Sequence, residues 1–236
     1  MRNRSAFSFV LIIGIVNFFA DLTYEGARGI VGPFLGSLGA SAAIVGFIAG
    51  FGELIGYALR SVSGYFADKT QRYWFVTFTG YAINMLAVPA LALAGQWPLA
   101  AGLVVAERTG RAIRKPVVEA MLSHAGRSIG AGWVFGLNEA LDQAGATIGP
   151  LLIALMLFLK GGYRTGFGVL LIPALVCLGI LVVARFLHPR PQELEELSAQ
   201  PLATRYLTPT YRIYLGGGGV DRRRFRGFRV DRISFP

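Results

Sequence analysis

The amino-acid sequence predicts an all-α protein, a polytopic transmembrane helical bundle with six spans. Of its 236 residues, 54% are hydrophobic and 15% are charged, and the mean hydropathy of +0.54 is higher than a soluble core requires. Apolar windows of membrane-spanning length alternate with short polar or Gly/Pro breaks. Lipid is therefore the expected solvent for most of this chain.

Six segments, five of them largely apolar, are each long enough as helices to cross the hydrocarbon, which takes about 20 helical residues. The predicted helices cover residues 7–34, 42–66, 74–94, 98–121, 131–159 and 166–187. They make up one six-helix domain over residues 1–188. A cytoplasmic linker and the aborted start of a seventh helix follow at 189–215, and a Gly/Arg-rich tail, expected to be disordered, occupies 216–236.

Lysine and arginine are unevenly distributed over the predicted connections, which sets the expected orientation. One side carries Arg2, Arg4, Lys69, Arg72, Arg127, Arg185 and Arg190. The other side carries Lys160 and Arg164. The positive-inside rule therefore predicts a multi-pass inner-membrane protein with both the N-terminus and the C-terminus in the cytoplasm.

Metal, cofactor and catalytic chemistry have no motif in this sequence. The one cysteine, Cys177, excludes a disulfide framework and a multi-cysteine metal site. His124 and His188 stand alone in the sequence, and neither a GxSxG nor an HExxH pattern occurs. We expect no metal, no cofactor and no enzymatic activity.

One face of the first predicted helix is polar, although the rest of that helix is apolar. The face consists of Asn17, Asp21, Tyr24, Glu25 and Arg28. A charge at the centre of a membrane costs about 2.5 to 3.5 kcal/mol, so these side chains should face a bundle interior or a wet cavity. Two interpretations remain open: they line a pathway for substrate or protons, or Asp21, Glu25 and Arg28 neutralise each other and lock helices together.

The fourth predicted helix carries charges at membrane depth. They are Glu107, Arg108, Arg111, Arg114, Lys115 and Glu119. The segment could instead be a basic cytoplasmic loop, but the apolar run that starts at Pro98 spans about nine residues, which is too short to cross a bilayer. A net positive stripe here would attract an anionic group of a substrate or pair with acids on other helices.

Acidic and amide side chains on the second and fifth helices can serve as those partners. Glu53 lies on the second helix, and Asn138, Glu139 and Asp142 lie on the fifth, where Asn138 and Asp142 share a face with two glycines. A buried carboxylate near a cation can exchange protons close to neutral pH, as a proton-coupled carrier requires. The candidate proton carriers are Asp21, Glu25, Glu53 and Asp142.

The segment GYFADKTQRY at residues 64–73 resembles the signature of the major facilitator superfamily between its second and third helices. Gly64, Asp68, Lys69 and Arg72 match that signature, whereas Gln71 and Tyr73 replace a glycine and a basic residue. The resemblance implies a conformational latch, in which the aspartate pairs at a helix end and the basic residues bridge to a neighbouring helix. An ordinary tight cytoplasmic turn is the alternative.

Two further motifs occur at the helices where this family has them. Arg108, followed by Gly110, resembles the membrane-embedded arginine that the family uses in proton coupling. Gly145, Gly149 and Pro150 resemble the Gly-Pro motif of the fifth helix of antiporters, and they imply a kink or pivot there. The chain is also similar to a bacterial subgroup of uncharacterised or drug-efflux members, and the resemblance covers residues 5 to about 190.

The resemblance implies the N-terminal half of a twelve-helix secondary transporter that moves a small molecule by alternating access, coupled to protons. Its implied partners are the lipid bilayer, a small-molecule substrate, protons and a second six-helix half. No nucleic-acid partner is expected, although the tail at 216–236 is rich in arginine. The alternative is a non-transporting membrane fragment or partner subunit, truncated or frameshifted near residue 215.

Overall fold

The computed structural model describes residues 2–70 and 72–189, and all regular structure within those two ranges is helical. The helices are α1 (Arg2–Ser37), α2 (Ala42–Thr70), α3 (Tyr73–Ala90), α4 (Trp97–Ile129), α5 (Ala131–Phe158), α6 (Tyr163–Val169) and α7 (Leu171–Leu187). A short 3-10 turn, Leu91–Leu93, extends α3. The predicted linker beyond Pro189 and the predicted tail lie outside the described residues.

Five segments in the described ranges are long and apolar enough to cross a membrane: α1, α2, α3 with its 3-10 turn, α5, and α6 with α7. The sixth predicted span, α4, has 33 residues and is therefore about 50 Å long, but it is too rich in charge to qualify by composition alone. The polytopic all-α fold is confirmed. The charged fourth segment is a continuous helix, and the alternative of a basic loop is wrong.

Several helix ends differ from the predicted ones because their polar residues do not break a helix. Helix α4 continues to Ile129, and a single residue, Gly130 with φ of 101°, separates it from α5. Arg127 is consequently helical rather than part of a loop. Likewise, α2 continues through Lys69 to Thr70. The last span starts early, at Tyr163, and is interrupted near Leu170.

Helix α1 occupies the centre of the bundle and contacts α5, α7 and α4, while α3 and α2 pack along α4. Small residues allow the closest of these approaches. A Cβ atom added to Gly80 of α3 would lie 2.9 Å from the carbonyl oxygen of Gly110 on α4. The two backbones are therefore nearly in contact, a common packing mode in membranes, where small residues let helices approach.

Two apolar clusters fill the two ends of the bundle. The cluster at the N-terminal end contains Phe9, Ile13, Met121, Leu122 and Leu181 among its fully buried members. The cluster at the opposite end, which carries the turn after α1, contains Phe34, Leu35, Leu91, Phe167 and Leu170. The charged side chains of α1 and α4 lie between these clusters, at the middle of the helices.

The end of α7 is held against the N-terminal end of the bundle by His188. Its ring meets the ring of Phe9 edge-on at 5.3 Å between centroids, and its carbonyl oxygen accepts a hydrogen bond of 3.0 Å from the indole Nε1 of Trp74. Burial of the imidazole lowers the pKa of His188 below its usual value. The charged form is thus disfavoured when this end is docked.

We expect acidification to loosen this end of the protein. An undocked histidine has a pKa near 6.5 and binds more protons than the docked one as the pH falls through that value. The packing of the end of α7 against Phe9 and Trp74 should therefore be fully stable above about pH 6.5 and weaken below that pH. The emission of Trp74, measured with Trp97 and Trp133 replaced by phenylalanine, should shift to longer wavelength between about pH 7.5 and pH 5.5.

The matched control for this pH effect is His188→Phe, which keeps the ring contact with Phe9 and the backbone carbonyl but cannot titrate. We expect its Trp74 emission to be independent of pH over the same range. If the Trp74 emission of this variant shifts with pH as much as that of the unmodified chain, a titratable group other than His188 causes the effect.

Candidate functional site

A buried arginine on α4 connects three helices at the centre of the bundle. The Nη2 of Arg114 lies 3.2 Å from Oδ1 of Asp21, and its Nη1 lies 3.3 Å from Oδ1 of Asn17. The guanidinium also lies over the ring of Tyr81 from α3, 4.5 Å from its centroid. Because Arg114 is 4% exposed and Asp21 is 7% exposed, this ion pair is almost completely removed from the aqueous phase.

The amide of Asn17 extends this network to α5. Its Nδ2 donates a hydrogen bond of 2.7 Å to Oδ1 of Asn138, and its Oδ1 also accepts a hydrogen bond from the hydroxyl of Tyr81. One turn further along α5, Asp142 is buried beside the same side chains, and its Oδ1 accepts no hydrogen bond from the described residues. A small polar pocket of about 20 Å³, large enough for about one water, adjoins these groups.

A second charged cluster lies one to two helical turns further along α1, toward the opposite end. Both Arg28 and Arg111 approach the carboxylate of Glu25, with nitrogen to oxygen distances of 3.3 Å and 3.8 Å. The guanidinium of Arg111 also stacks over the ring of Tyr24 at 3.8 Å. Two cations therefore share one carboxylate at distances longer than an optimal charge-assisted hydrogen bond.

Two more carboxylates complete the site between α2, α3 and α4. Glu107 is buried and accepts a hydrogen bond of 2.8 Å from Nδ2 of Asn84 on α3. Glu53, on α2, forms an ion pair with Arg108 of α4. Each acid at this level therefore has a specific partner from a neighbouring helix.

A cavity of about 470 Å³ opens next to these charges, between α1, α2, α3 and α4. Its polar lining comes from Tyr24, Arg28, Glu53, Glu107 and Arg108. The remaining walls are apolar. This volume falls in the range of pockets that bind small organic molecules, about 300 to 1,000 Å³.

The structure brings together the polar residues predicted on helices one, four and five, with the exception of Glu139. That side chain is exposed and accepts a hydrogen bond of 2.7 Å from Gln143 of its own helix. One detail of the charge-locking interpretation differs: Asp21 pairs with Arg114 of α4, and only Glu25 pairs with Arg28 within α1. Lys115 and Glu119 border the small pocket.

Sequence reasoning missed Tyr81 and Asn84 of α3, both of which bind charged or polar groups of the site. Their signal is present, since the two polar residues are three positions apart in an otherwise apolar helix and therefore share a face. This sequence signal is weak, because a single tyrosine or a single asparagine is common in membrane helices.

The predicted latch residues lie at the end of α2 and in the turn after it. A Cβ atom added to Gly64 would lie 3.6 Å from Cβ of Pro116. Lys69 lies over the ring of Tyr65, and Arg72 is exposed. The side chain of Asp68 lies outside the described part of the chain. The latch function therefore stays a prediction.

The predicted pivot residues belong to the contact between α5 and α1. Helix α5 is continuous through Pro150, which is exposed. A Cβ atom on Gly145 would collide with the carbonyl oxygen of Phe18, and one on Gly149 with that of Leu22. These two glycines permit close backbone packing, and the pivot stays a prediction.

Gly52 leaves the space that Arg108 needs to reach Glu53. A Cβ atom at this position would lie 3.0 Å from Nε of Arg108. We expect Gly52→Ala to displace that side chain and to cost about 0.2 to 1 kcal/mol, the value of a partly exposed ion pair. The loss in unfolding free energy should be smaller when Glu53→Gln is already present.

Gly56→Ala is the matched control for that prediction, because Gly56 lies on the same helix with no atom within 4 Å of an added Cβ. Both variants can be compared by unfolding in SDS, followed by circular dichroism. Equal effects of the two substitutions would show that the ion pair is not involved.

Membrane-length helices surround paired charges at the centre of the bundle and a lateral cavity, which defines a polytopic helical membrane protein with an internal polar site. The family model of the Major Facilitator Superfamily matches residues 13–229, and the chain belongs to this family. The resemblance predicted from the sequence is confirmed.

The chain is 45% identical over 193 residues to uncharacterized proteins of Mycobacterium tuberculosis and Mycobacterium bovis. That alignment covers 81% of this chain and 47% of each relative. It is 27% identical over 184 residues to an uncharacterized MFS-type transporter of Methanocaldococcus jannaschii, covering 77% of this chain and 45% of that one. The chain thus spans about half the length of these curated relatives.

Among solved structures, the chain is similar to the crystal structure of the peptide transporter POT (E310Q mutant) in complex with sulfate. The TM-score is 0.59 at 21% sequence identity, and the match covers 89% of this chain and 44% of that chain. At this identity the likeness shows the fold alone. It supports a fold corresponding to half of a facilitator-type transporter.

Proposed function

We propose that this chain forms one half of a secondary transporter that moves a small solute across a bacterial inner membrane by alternating access, coupled to protons. The observation that carries the proposal is the buried network of Asp21, Arg114 and Asp142, which joins α1, α4 and α5 at the middle of the helices. Ionisable groups inside a membrane are costly and typically belong to ion or substrate pathways.

The network offers a physical route for proton coupling. Arg114 pairs with Asp21, while Asp142 lies in the same small pocket with one carboxylate oxygen lacking a hydrogen bond. Ionised Asp142 competes with Asp21 for the single guanidinium, whereas protonated Asp142 leaves the pair between α1 and α4 intact. Proton binding would therefore change the balance of forces between α5 and α1, and thus the relative positions of these helices.

The outward faces of α2 and α5 support a second six-helix half as partner. In the most apolar stretch of each helix, 11% of α2 and 22% of α5 is buried, compared with 61% of α1. These faces include Glu139 and Gln143, which are exposed on the membrane-spanning helix α5. Charged and amide groups are unfavourable next to lipid, so a protein surface is the better cover.

We also propose that both termini face the cytoplasm and that Gly64, Asp68, Lys69 and Arg72 form a latch on that side. The distribution of lysine and arginine supports the orientation. In this arrangement, the small pocket beside Asp142 lies nearer the cytoplasm and the larger cavity nearer the outside.

A vesicle assay tests this function. The chain is reconstituted alone and together with the separately expressed C-terminal half of its Mycobacterium tuberculosis relative, with a pH-sensitive dye inside the vesicles. A panel of sugars, amino acids, carboxylates and organic cations is added one at a time. We expect one class of solute to drive proton movement in at least one of the two preparations.

Asp142→Asn should abolish that proton movement, because the amide cannot release a proton. Glu139→Gln, on the exposed side of the same helix, is the matched control and should retain it. Absence of proton movement in both preparations, with every solute class, would overturn the proposal.

A second candidate is a non-transporting partner subunit, which the exposed polar side chains of Glu139 and Gln143 on α5 favour, because they suit contact with another membrane protein better than contact with lipid. In that case, the chain should bind the separate second half without any solute-driven proton movement. Co-purification in mild detergent, together with the vesicle assay, separates the two functions.

A further inference from the structure

The larger cavity changes from charged to apolar along its length. Its charged residues lie toward the middle of the bundle, and Tyr24 and Arg28 mark that end on α1. One to two turns further along α1, in the direction of the turn at residues 38–41, the lining becomes Val31 and Leu35. The other elements follow the same order: at the apolar end lie Val45 on α2, Val88 on α3, Leu91 in the 3-10 turn that extends α3, and Val104 on α4.

The charged end has an incompletely paired cation. The side chain of Arg28 is 57% exposed, and its contacts to Glu25 are 3.3 and 3.4 Å long. That same carboxylate is also shared with Arg111. By contrast, Glu53 is neutralised by Arg108. An incoming anionic group therefore finds open guanidinium donors at Arg28.

An apolar groove of about 510 Å³ lies on the other side of α2 from this cavity. Phe47 and Phe51 stack on each other along it, and Trp97 and Val105 of α4 contribute its second wall. Ile48 lines both the groove and the cavity. The groove and the cavity therefore meet at a shared wall that contains Ile48.

From this polarity we infer that the cavity binds an anionic amphiphile, a molecule with one carboxylate-like group on an apolar body. The anionic group would lie at Arg28, and the apolar body would extend past Val31 toward Leu35, where it is shielded from water. This inference rests on the proposed transport function and specifies its substrate class.

Binding of a fatty-acid series to the whole chain tests the inference. The protein is placed in lipid nanodiscs, and the binding of radiolabelled butyrate, hexanoate, octanoate and decanoate is measured against empty nanodiscs. Burial of each methylene against the apolar walls should raise the affinity about two- to fourfold. Decanol and decyltrimethylammonium should compete at least about tenfold more weakly than unlabelled decanoate, because they lack the charge that Arg28 attracts.

Two variants separate the two ends of the cavity. Arg28→Gln should weaken decanoate binding about tenfold or more and leave the affinity for decanol unchanged. Arg164→Gln, an exposed arginine outside the cavity, is its matched control. Val31→Ser should reduce the gain per methylene without changing the affinity for butyrate.

The outcomes for this inference and for transport are distinct. Decanoate binding that depends on Arg28, without any proton movement in vesicles, would support the site and contradict the proposed transport. Proton movement driven by a hydrophilic solute, with decanoate binding no greater than in empty nanodiscs, would leave transport standing and overturn the inference. Decanoate binding that is unaffected by Arg28→Gln would also overturn it.

Discussion

Replacing Arg114 with leucine is expected to lower the free energy of unfolding by about 3 to 5 kcal/mol, the cost of breaking a buried ion pair from one side. The reason is that Asp21 remains buried without its cation, at 7% exposure, while Asn17 and Tyr81 lose contacts with the guanidinium. Unfolding in SDS, followed by circular dichroism, measures the change.

The control for this prediction removes both charges. Asp21→Asn combined with Arg114→Leu removes both members of the ion pair, and we expect the double variant to regain most of the lost stability, because paired removal of a buried ion pair is often close to neutral. Arg114→Lys should fall in between, since one ammonium cannot reproduce the two-sided contact with Asp21 and Asn17. A single variant as stable as the double variant would contradict the prediction.

The second large effect is expected from adding methyl groups where the backbones of α1 and α5 are in close contact. In Gly145→Ala combined with Gly149→Ala, both new methyl groups would meet backbone atoms of α1, including the amide nitrogen of Gly26 at 2.9 Å from the second one. Backbone cannot rotate away as a side chain can. The helices must therefore separate, and we expect a loss of about 2 to 6 kcal/mol, at about 1 to 3 kcal/mol per overpacked position.

Separation of the two helices should also break the hydrogen bond between Asn17 and Asn138, which is 2.7 Å long. The matched control is Gly132→Ala combined with Gly136→Ala, on the same helix, where an added Cβ meets no atom within 4 Å. This control should unfold at the same SDS concentration as the unmodified chain. If the two double variants are equally stable, the close approach of α1 and α5 does not stabilise the bundle.

The fold could be predicted from the sequence because it depends on local pattern. Apolar stretches of membrane length define α1, α2, α3 and α5 without knowledge of any contact. The polar face of α1 followed from helical periodicity, since Asn17, Asp21 and Arg28 recur at intervals of three to four residues and their multiples. Even the helicity of the charged segment α4 followed, because its apolar part alone is too short to cross the membrane.

The helix ends were less predictable, because polarity marks the edge of the hydrocarbon rather than the end of a helix. Arg127 and Lys69 both support helix, so α4 and α2 continue past the predicted boundaries. What ends α4 is Gly130, whose backbone adopts a positive φ.

The amino-acid sequence by itself determined that this protein is a bundle of membrane helices with charges on defined faces, since length, hydropathy and periodicity are properties of each segment alone. Only the tertiary structure decided which charges pair. Asp21 has Arg28 seven positions away on its own helix, yet it pairs with Arg114, 93 positions away, and Glu53 pairs with Arg108 rather than with Arg60. The pairing of these charges depends on how closely the helices approach one another. Contacts at small residues such as Gly145 and Gly52 determine that approach, and the sequence of a single segment does not contain it.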